Sequence, residues 1–429
     1  MTASAGAPGL AARRGAAALL SGVLEGGRSL DEQEGALARL TPPERARARA
    51  LAAGTLRHLG RIDALLAGFL DRRPPARAMD ALRLAAAEVH LDGVPAHAAV
   101  DGAVRLVRSG AGGARLAGLV NAVARRVAAA GEGWEAAPEA GLPEWIGGPV
   151  AAAWGTEVRQ AVEAAQRVRP PLDLTPRIPG EAGRWGTALG AELLPTGSLR
   201  LTGWPQVSAL PGYAEGGWWV QDAAAALPAR LFGPLAGRTA LDLCAAPGGK
   251  TLQLAAAGAV VTAVDASEAR LARLRDNLAR TGLRAEVVAA DALGWAPERR
   301  FEAVLLDAPC TATGTIRRHP DLPWVRRGRE TASLVALQAA LLGRAWDRVA
   351  TGGRLVYCVC SLLPEEGEAQ VARFLAATPG ARVAAPDVAA LGIEAGWVDA
   401  LGGLRTRPDH WAERGGLDGF YAACLERSG

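Results

Sequence analysis

The 429-residue sequence has almost no lysine, asparagine or methionine. Lys250 is its single lysine, Asn121 and Asn277 are its two asparagines, and arginine supplies the rest of the 48 basic side chains. This looks like GC-rich coding pressure, which replaces lysine by arginine wherever charge alone matters. The surviving Lys250 marks a place where a compact ammonium is needed rather than a planar fork. No run of 18 uncharged apolar residues occurs, which excludes a transmembrane helix of ordinary length. The N-terminal half has no cysteine. The five cysteines are Cys244, Cys310, Cys358, Cys360 and Cys424. An odd number without framework spacing argues against a secreted disulfide scaffold and for reduced thiols in a cytoplasmic enzyme. Cys358 and Cys360 form C-x-C, with no second pair or histidine cluster, so no metal site is expected. The charge balance is a mild +4, which permits a nucleic-acid partner.

Half of the residues are apolar and 21% are charged, enough for a sizeable core, and the length favours two or three domains. Leu10 to Leu24 pairs Arg13-Arg14 with a short apolar stretch. It reads as a first amphipathic helix rather than a leader, since no clean small-residue cleavage site follows. Residues 1 to about 130 read as all helix, with apolar positions at three- and four-residue spacing, such as Leu56, Leu59, Leu65, Leu66 and Leu70. Thr41-Pro-Pro-Glu44 is a capping-box start. Residues 1–140 hold 18 arginines against 14 acids. Arg45, Arg47 and Arg49 form either a solvated helical face or a phosphate-binding surface. Gly131 to Pro143 reads as a linker. Residues 144–236 read as a helix followed by a small α+β module.

From about residue 237 strands alternate with helices, the pattern of a parallel sheet. The expected strands are Thr239–Leu243, Val260–Val264, Ala285–Ala289, Phe301–Leu306 and Arg354–Val359. They end at Cys244, Asp265, Asp291, Asp307 and Cys360, and open α/β sheets bind ligands at the carboxyl ends of strands. The first strand runs into Cys244-Ala245-Ala246-Pro247-Gly248-Gly249-Lys250 and then a helix. Small residues there let a ligand approach backbone amides. A phosphate-binding loop is disfavoured because Cys244 stands where its first glycine belongs, and a dinucleotide fingerprint is absent. S-adenosylmethionine fits: Asp265 is placed for the ribose hydroxyls and Asp291 for the adenine amino group.

Asp307-Ala-Pro-Cys310 and Val359-Cys360-Ser361 end the last two strands, and together they bring two thiols and a carboxylate to one cleft. That set suits methylation of cytosine C5. A thiolate adds at C6, a proton goes to N3, C5 takes the methyl group, and release follows loss of the C5 proton. Asp307 is expected to serve N3, which requires it to hold or share a proton. Arg317 and Arg318 follow that loop as candidate grips for RNA phosphates, with His319 as a base or a structural residue. Trp218, Trp219 and Tyr357 read as packing, and Asn121 as a buried or capping group.

The stretches LDLCAAPGGKT, LLDAPCTATGTIRRHPD and VYCVCSLLPEE resemble RNA cytosine-5 methyltransferases of the NOL1/NOP2/Sun class. GTLRHLGRIDALL, PAHAAVDGAVRL and AGLVNAVARR resemble the NusB-like RNA-binding domain. The combination is similar to the bacterial ribosomal small-subunit methyltransferase B type. The resemblance implies a Rossmann-like methyltransferase domain over 237–429, after an all-α NusB-like domain over 1–135 and a small α+β linker module over 136–236. It implies that Cys244 to Lys250, Asp265, Asp291 and Asp307 contact S-adenosylmethionine. It implies Cys360 as nucleophile and Cys310 as an aid to product release. DNA cytosine methyltransferases instead use the Pro-Cys cysteine, which keeps Cys310 as an alternative nucleophile. Cys358, two residues from Cys360, is expected to share its face. The implied substrate is 16S ribosomal RNA, protein-free or in an early assembly intermediate, with Arg45, Arg49, Arg317 and Arg318 as RNA contacts. A tRNA substrate and a non-catalytic RNA-binding assembly factor are the alternatives. A monomer is expected.

Overall fold

The computed structural model describes residues 9–110 and 112–428. The chain divides into two compact units. One contains the N-terminal helices through Glu144 together with a later excursion, Arg318–Arg327. The other contains Trp145–Arg317 and the chain from Gly328 onward.

The first unit is helical: Leu10–Leu24, Pro42–Arg57, Leu59–Ala67, Ala76–His90, Ala96–Arg108 and Ala117–Ala128 are its longer helices. The expected capping box forms, with Glu44 accepting from the Thr41 backbone N–H at 3.0 Å. Leu19, Leu20, Ile62, Leu66, Leu82 and Val120 meet in one apolar core. The expected linker is partly helical, over Gly131–Ala136. Its Trp134 explains why. That ring is buried, stacks on His90 at 4.9 Å and lies beneath the Arg61 guanidinium at 4.4 Å. One anchoring aromatic outweighs the Gly, Pro and Glu around it.

The excursion Arg318–Arg327 is held in this unit by specific bonds. Asp321, buried, accepts from Leu30 N–H at 2.9 Å, and Trp324 Nε1 donates to the Leu56 carbonyl at 3.3 Å. No local pattern in the sequence signals this.

The second unit opens with helices Glu144–Trp154 and Thr156–Arg167. Strands β1 (Leu172–Pro176), β2 (Glu192–Leu193), β3 (Leu199–Leu201) and β4 (Trp218–Val220) form an antiparallel sheet in the order β2-β3-β1-β4. Asp173 and Arg200 face each other across β1 and β3 in a two-pronged buried pair, both bonds 2.7 Å. Each charge is satisfied by the other, which is the condition for keeping either buried.

The larger sheet contains β5 (Thr239–Leu243), β6 (Val260–Asp265), β7 (Glu286–Ala289), β8 (Phe301–Asp307), β9 (Val349–Val359), β10 (Ala381–Ala384), β11 (Leu404–Thr406) and β12 (Phe420–Arg427). Its order is β10-β12-β9-β8-β5-β6-β7, with β11 paired to β12. Strands β7-β6-β5-β8-β9 run parallel, and β12 runs antiparallel to β9 and β10. Val304–Leu306 and Leu355–Val359 are buried throughout, as expected of strands covered on both faces. The β10, β11 and β12 strands were not anticipated, because they do not continue the strand–helix alternation. Winding reverses between β5 and β8, so the carboxyl ends of those two strands flank a crevice at the switch point.

Candidate active site

On one side of the crevice, β5 ends at Leu243 and the chain turns sharply. Cys244 adopts a left-handed conformation with φ 59°, uncommon for a residue with a side chain. The Ala246–Pro247 bond is cis. Gly248, at φ 108°, starts the Gly249–Ala256 helix. A Cβ on Gly248 would lie 2.2 Å from Leu274 Cδ1, so the loop closes against the core only without one.

Asp265, at the end of β6, is 2% exposed. One oxygen accepts from Ala246 N–H at 3.2 Å and the other from Ser267 N–H at 2.8 Å. The half-exposed Arg270 lies across both oxygens at 2.8 and 2.9 Å. Asp242, fully buried in β5, accepts from the Thr251 hydroxyl at 2.6 Å. Burial pushes its carboxyl up to about 7. Asp291 lies two residues beyond β7, exposed, with one oxygen accepting from Leu293 N–H at 3.0 Å.

The other side carries the reactive groups. Asp307, the last residue of β8, accepts from Lys250 Nζ at 2.7 Å on one oxygen. Its other oxygen accepts from the Cys358 thiol at 3.4 Å, and the two residues are register partners across β8 and β9. Burial alone would lower the Lys250 ammonium, but Asp307 beside it holds it above the usual lysine range. The lone lysine is therefore committed to Asp307, with the Phe420 ring 5.2 Å away. Cys310 Sγ lies 3.5 Å from Cys360 Sγ. Cys310 is buried, and Cys360 is half-buried. The contact with Cys360, and burial with it, raise the Cys310 thiol well above its usual range. Cys358 does not join them. Burial and Asp307 keep it a neutral thiol pointed at that carboxylate. Burial, Asp307 and Asp265 push Cys244 up to about 12.

Glu366 was not singled out in the sequence. It is fully buried and accepts from Thr311 N–H at 3.0 Å, from Gln338 Nε2 at 2.9 Å, and from the Thr311 and Ser361 hydroxyls. Thr311 follows Cys310, and Ser361 follows Cys360. One carboxylate thus clamps both cysteine loops. The available signal was the Pro-Glu-Glu that follows Cys360-Ser361. Gly314 serves the same loop. A Cβ there would lie 1.9 Å from the Gly419 carbonyl.

Among the RNA candidates, Arg317 needs correction. It is 1% exposed, its Nε lies 3.0 Å from Asp418, and Nη1 donates to the Gly415 carbonyl at 2.9 Å. Two adjacent arginines gave no sign that one turns inward. Arg318 is half-buried in the helical unit. Arg45 is exposed, and Arg49 lies between Asp31 at 3.3 Å and Glu34 at 3.4 Å. Asn121 is half-buried and lines an open cleft beside His97 and Arg125, so it is not the packed group expected. Trp218, Trp219 and Tyr357 are buried, as expected.

A parallel sheet with an antiparallel strand inserted near one edge, a glycine-opened helix after β5 and a buried acid ending β6 define a Rossmann-like, S-adenosyl-L-methionine-dependent methyltransferase. A family model described as "16S rRNA methyltransferase RsmB/F" matches residues 229–426, and a NusB family model matches residues 10–129. The ribosomal RNA small subunit methyltransferase B of Pseudomonas putida is 37% identical, over 97% of this chain and 98% of that protein. The Vibrio cholerae protein of the same name is 34% identical over 97% of each. The crystal structure of PH0851 superposes with TM-score 0.73 at 23% identity, covering 97% of this chain and 99% of that one. NSun6 from Pyrococcus horikoshii with SFG superposes at 0.54 and 19% identity, over 67% of this chain and 98% of that one. The chain belongs to the RsmB/F methyltransferase family, with a NusB-family domain ahead of the catalytic one, and is an RNA methyltransferase.

Proposed function

We propose that the protein methylates C5 of a cytosine in 16S ribosomal RNA through a covalent adduct between Cys360 and C6. The observation that carries this reading is the unequal pair of thiols. Cys360 is reachable, while Cys310 is buried 3.5 Å away and kept protonated. The relatives named for ribosomal small-subunit methylation support the RNA class, and on our reading a monomer meets that RNA in the cytoplasm, protein-free or in an early assembly intermediate.

The residues at the cofactor loop fit S-adenosylmethionine. Gly248 and Gly249, whose missing Cβ atoms let the loop pack on Leu274 and Gln221, set backbone amides at a helix start, and the Asp265 carboxylate, now covered by Arg270, would hold a ribose diol. Asp291 keeps one oxygen for the adenine amino group. When bound, the cofactor supplies a methyl group on a positively charged sulfur.

The chain's own residues do the rest. The Cys360 sulfur, its proton given up to solvent, forms a bond to C6 as N3 takes a proton. That proton is held on the Lys250–Asp307 pair, with Lys250 as its bearer, which revises the expectation that Asp307 itself carries it. C5, now electron-rich, takes the methyl group. The C5 proton then passes to a water molecule, the N3 proton returns to Lys250, and the C6–S bond breaks with its electron pair on the Cys360 sulfur. Cys310, 3.5 Å from Cys360, supports the departing Cys360 sulfur. Glu366 fixes both loops so that the sulfurs stay in register with Asp307.

The test uses Cys310→Ala and Cys360→Ala, each incubated with S-adenosylmethionine and either protein-free 16S RNA or tRNA. A denaturant-stable protein–RNA adduct is expected from Cys310→Ala on 16S RNA and none from Cys360→Ala, with turnover reduced ~10³-fold or more in both. The reverse pattern moves the nucleophile to Cys310. Adduct on tRNA alone moves the substrate. A wild-type chain that binds 16S RNA without methylating it leaves the assembly-factor reading.

A further inference from the structure

We propose that the cleft between the β1–β4 sheet and the outer face of the Gly249–Ala256 helix is a second binding site, which takes a nucleotide unit by its phosphate and its flat base. The cavity is about 440 Å³ and lies wholly within the second unit. That size falls in the range of small-ligand sites, roughly 300–1,000 Å³. A bare phosphate would leave most of it unfilled. Its lining shares no residue with the cofactor loop or the cysteine loops.

Three observations give the ligand its chemistry. First, Arg177 and Arg230 both line the cavity, and no aspartate or glutamate does. Arg177 donates to the Thr281 carbonyl at 2.8 Å, and Arg230 donates to the carbonyls of Thr196, Ala390 and Leu391. Among the described residues neither guanidinium meets a carboxylate. Other interior arginines of this unit do: Arg200 meets Asp173, Arg405 meets Glu368 and Arg317 meets Asp418. A half-buried cation without a counter-charge carries a desolvation cost, which is why Arg230 lies below the usual arginine range. An anion entering the cleft relieves that cost.

Second, Thr196 is 4% exposed, lines the cavity, and its hydroxyl has no partner. A buried hydroxyl is normally bonded, so this one is a polar group of the cleft wall that the protein itself leaves unmet. Third, Pro176, Leu235 and Ala256 give the cavity an apolar wall against which a flat ring can lie. Two guanidiniums that face carbonyls rather than a carboxylate, one unsatisfied hydroxyl and an apolar wall together match a phosphate carrying a base.

The unit can reach the cleft within an RNA chain or as a free nucleotide. The RNA source rests on the RNA-methylating reading above. The full-length chain is titrated with a fluorescent 16S-derived RNA across a salt series, and separately with CMP, UMP, AMP and GMP. Arg177→Glu and Ala256→Trp are compared with the wild type, and S-adenosylmethionine affinity serves as the control for folding. Each variant is expected to weaken the ligand that uses the cleft by about fivefold or more while leaving cofactor affinity intact. Arg177→Glu should also lower the RNA salt slope by about one. Loss for RNA alone assigns an RNA unit, and loss for mononucleotides alone assigns a free nucleotide. Two results overturn the site: unchanged binding of every probe in both variants, or loss in Arg177→Glu alone, which makes the effect one of surface charge. Mononucleotide binding that the variants abolish, in a chain that never methylates cytosine, keeps this site and sinks the reaction proposed above.

Discussion

The β5–β6 side of the crevice is built mainly from backbone and missing side chains. Gly248 and Gly249 open a helix, Asp265 pins the amides of Ala246 and Ser267, and the polar side chains nearest the loop hold the loop itself. The β8–β9 side is built from side chains that hold one another: Lys250 on Asp307, Cys358 on Asp307, Cys310 on Cys360, and Glu366 on the residue after each cysteine. A cofactor recognised by shape needs room and fixed donors. A reaction with proton movements needs titratable groups whose positions are enforced from behind. The first side should therefore fail when atoms are added, and the second when polar atoms are exchanged.

The sharpest way to break that contrast is Gly248→Ala. The added methyl meets the buried Leu274 at 2.2 Å in a conformation that L residues rarely adopt. Loss of about 2 kcal/mol in stability is expected, with cofactor binding weakened beyond calorimetric detection. A variant that binds S-adenosylmethionine normally would show that the loop is not shaped by exclusion. Glu366→Gln comes next. It keeps the shape but replaces one acceptor oxygen by a donor facing two hydroxyls. Turnover should fall roughly 10–100-fold at unchanged cofactor affinity, with altered alkylation rates of Cys360. Equal loss in cofactor affinity would mean that the two sides are not separable.

Asp242 tests whether the cofactor side carries a hidden titration. Its folded value of about 7 lies above the unfolded 3.8, so the native state keeps a proton that the unfolded chain releases. The unfolded state therefore binds fewer protons between those values, and this residue's contribution falls as pH rises from about 4 to about 7. Asp242→Asn should remove that slope. Chemical denaturation should show the variant gaining on wild type across the window, by on the order of a few kcal/mol, then levelling off. A constant difference from pH 4 to 8 would place the titration elsewhere. The smallest effect is expected from Arg270→Ala. Freeing the Asp265 oxygens should tighten S-adenosylmethionine two- to threefold, or about 0.5 kcal/mol, by calorimetry. Weaker binding would make Arg270 a cofactor contact instead of a cover.

The inner parallel strands were legible because a strand buried on both faces is written as a short apolar run, and each such run here ends in a residue able to do chemistry. The helical domain was legible from its 3.6-residue period and from one capping box. The late strands β10–β12 were hidden because they do not continue the strand–helix alternation: β12 runs antiparallel between β9 and β10, and β10 and β11 are three or four residues long. The buried turn of Arg317 and the docking of Asp321 and Trp324 into the helical unit were hidden for a different reason. Each depends on partners about one hundred to three hundred residues away in sequence.

The sequence by itself determined which residue types stand at the strand ends, and with them the class of chemistry. Chain direction and burial period are local properties, and local properties are written in order. Only the tertiary structure decided which neighbour each group has. It gave Lys250 and the Cys358 thiol to Asp307, and set one buried glutamate behind both cysteine loops. Hydrogen bonds and charge pairs act over a few ångströms of space, whatever the separation along the chain, so a pairing becomes readable only when the fold has closed that distance.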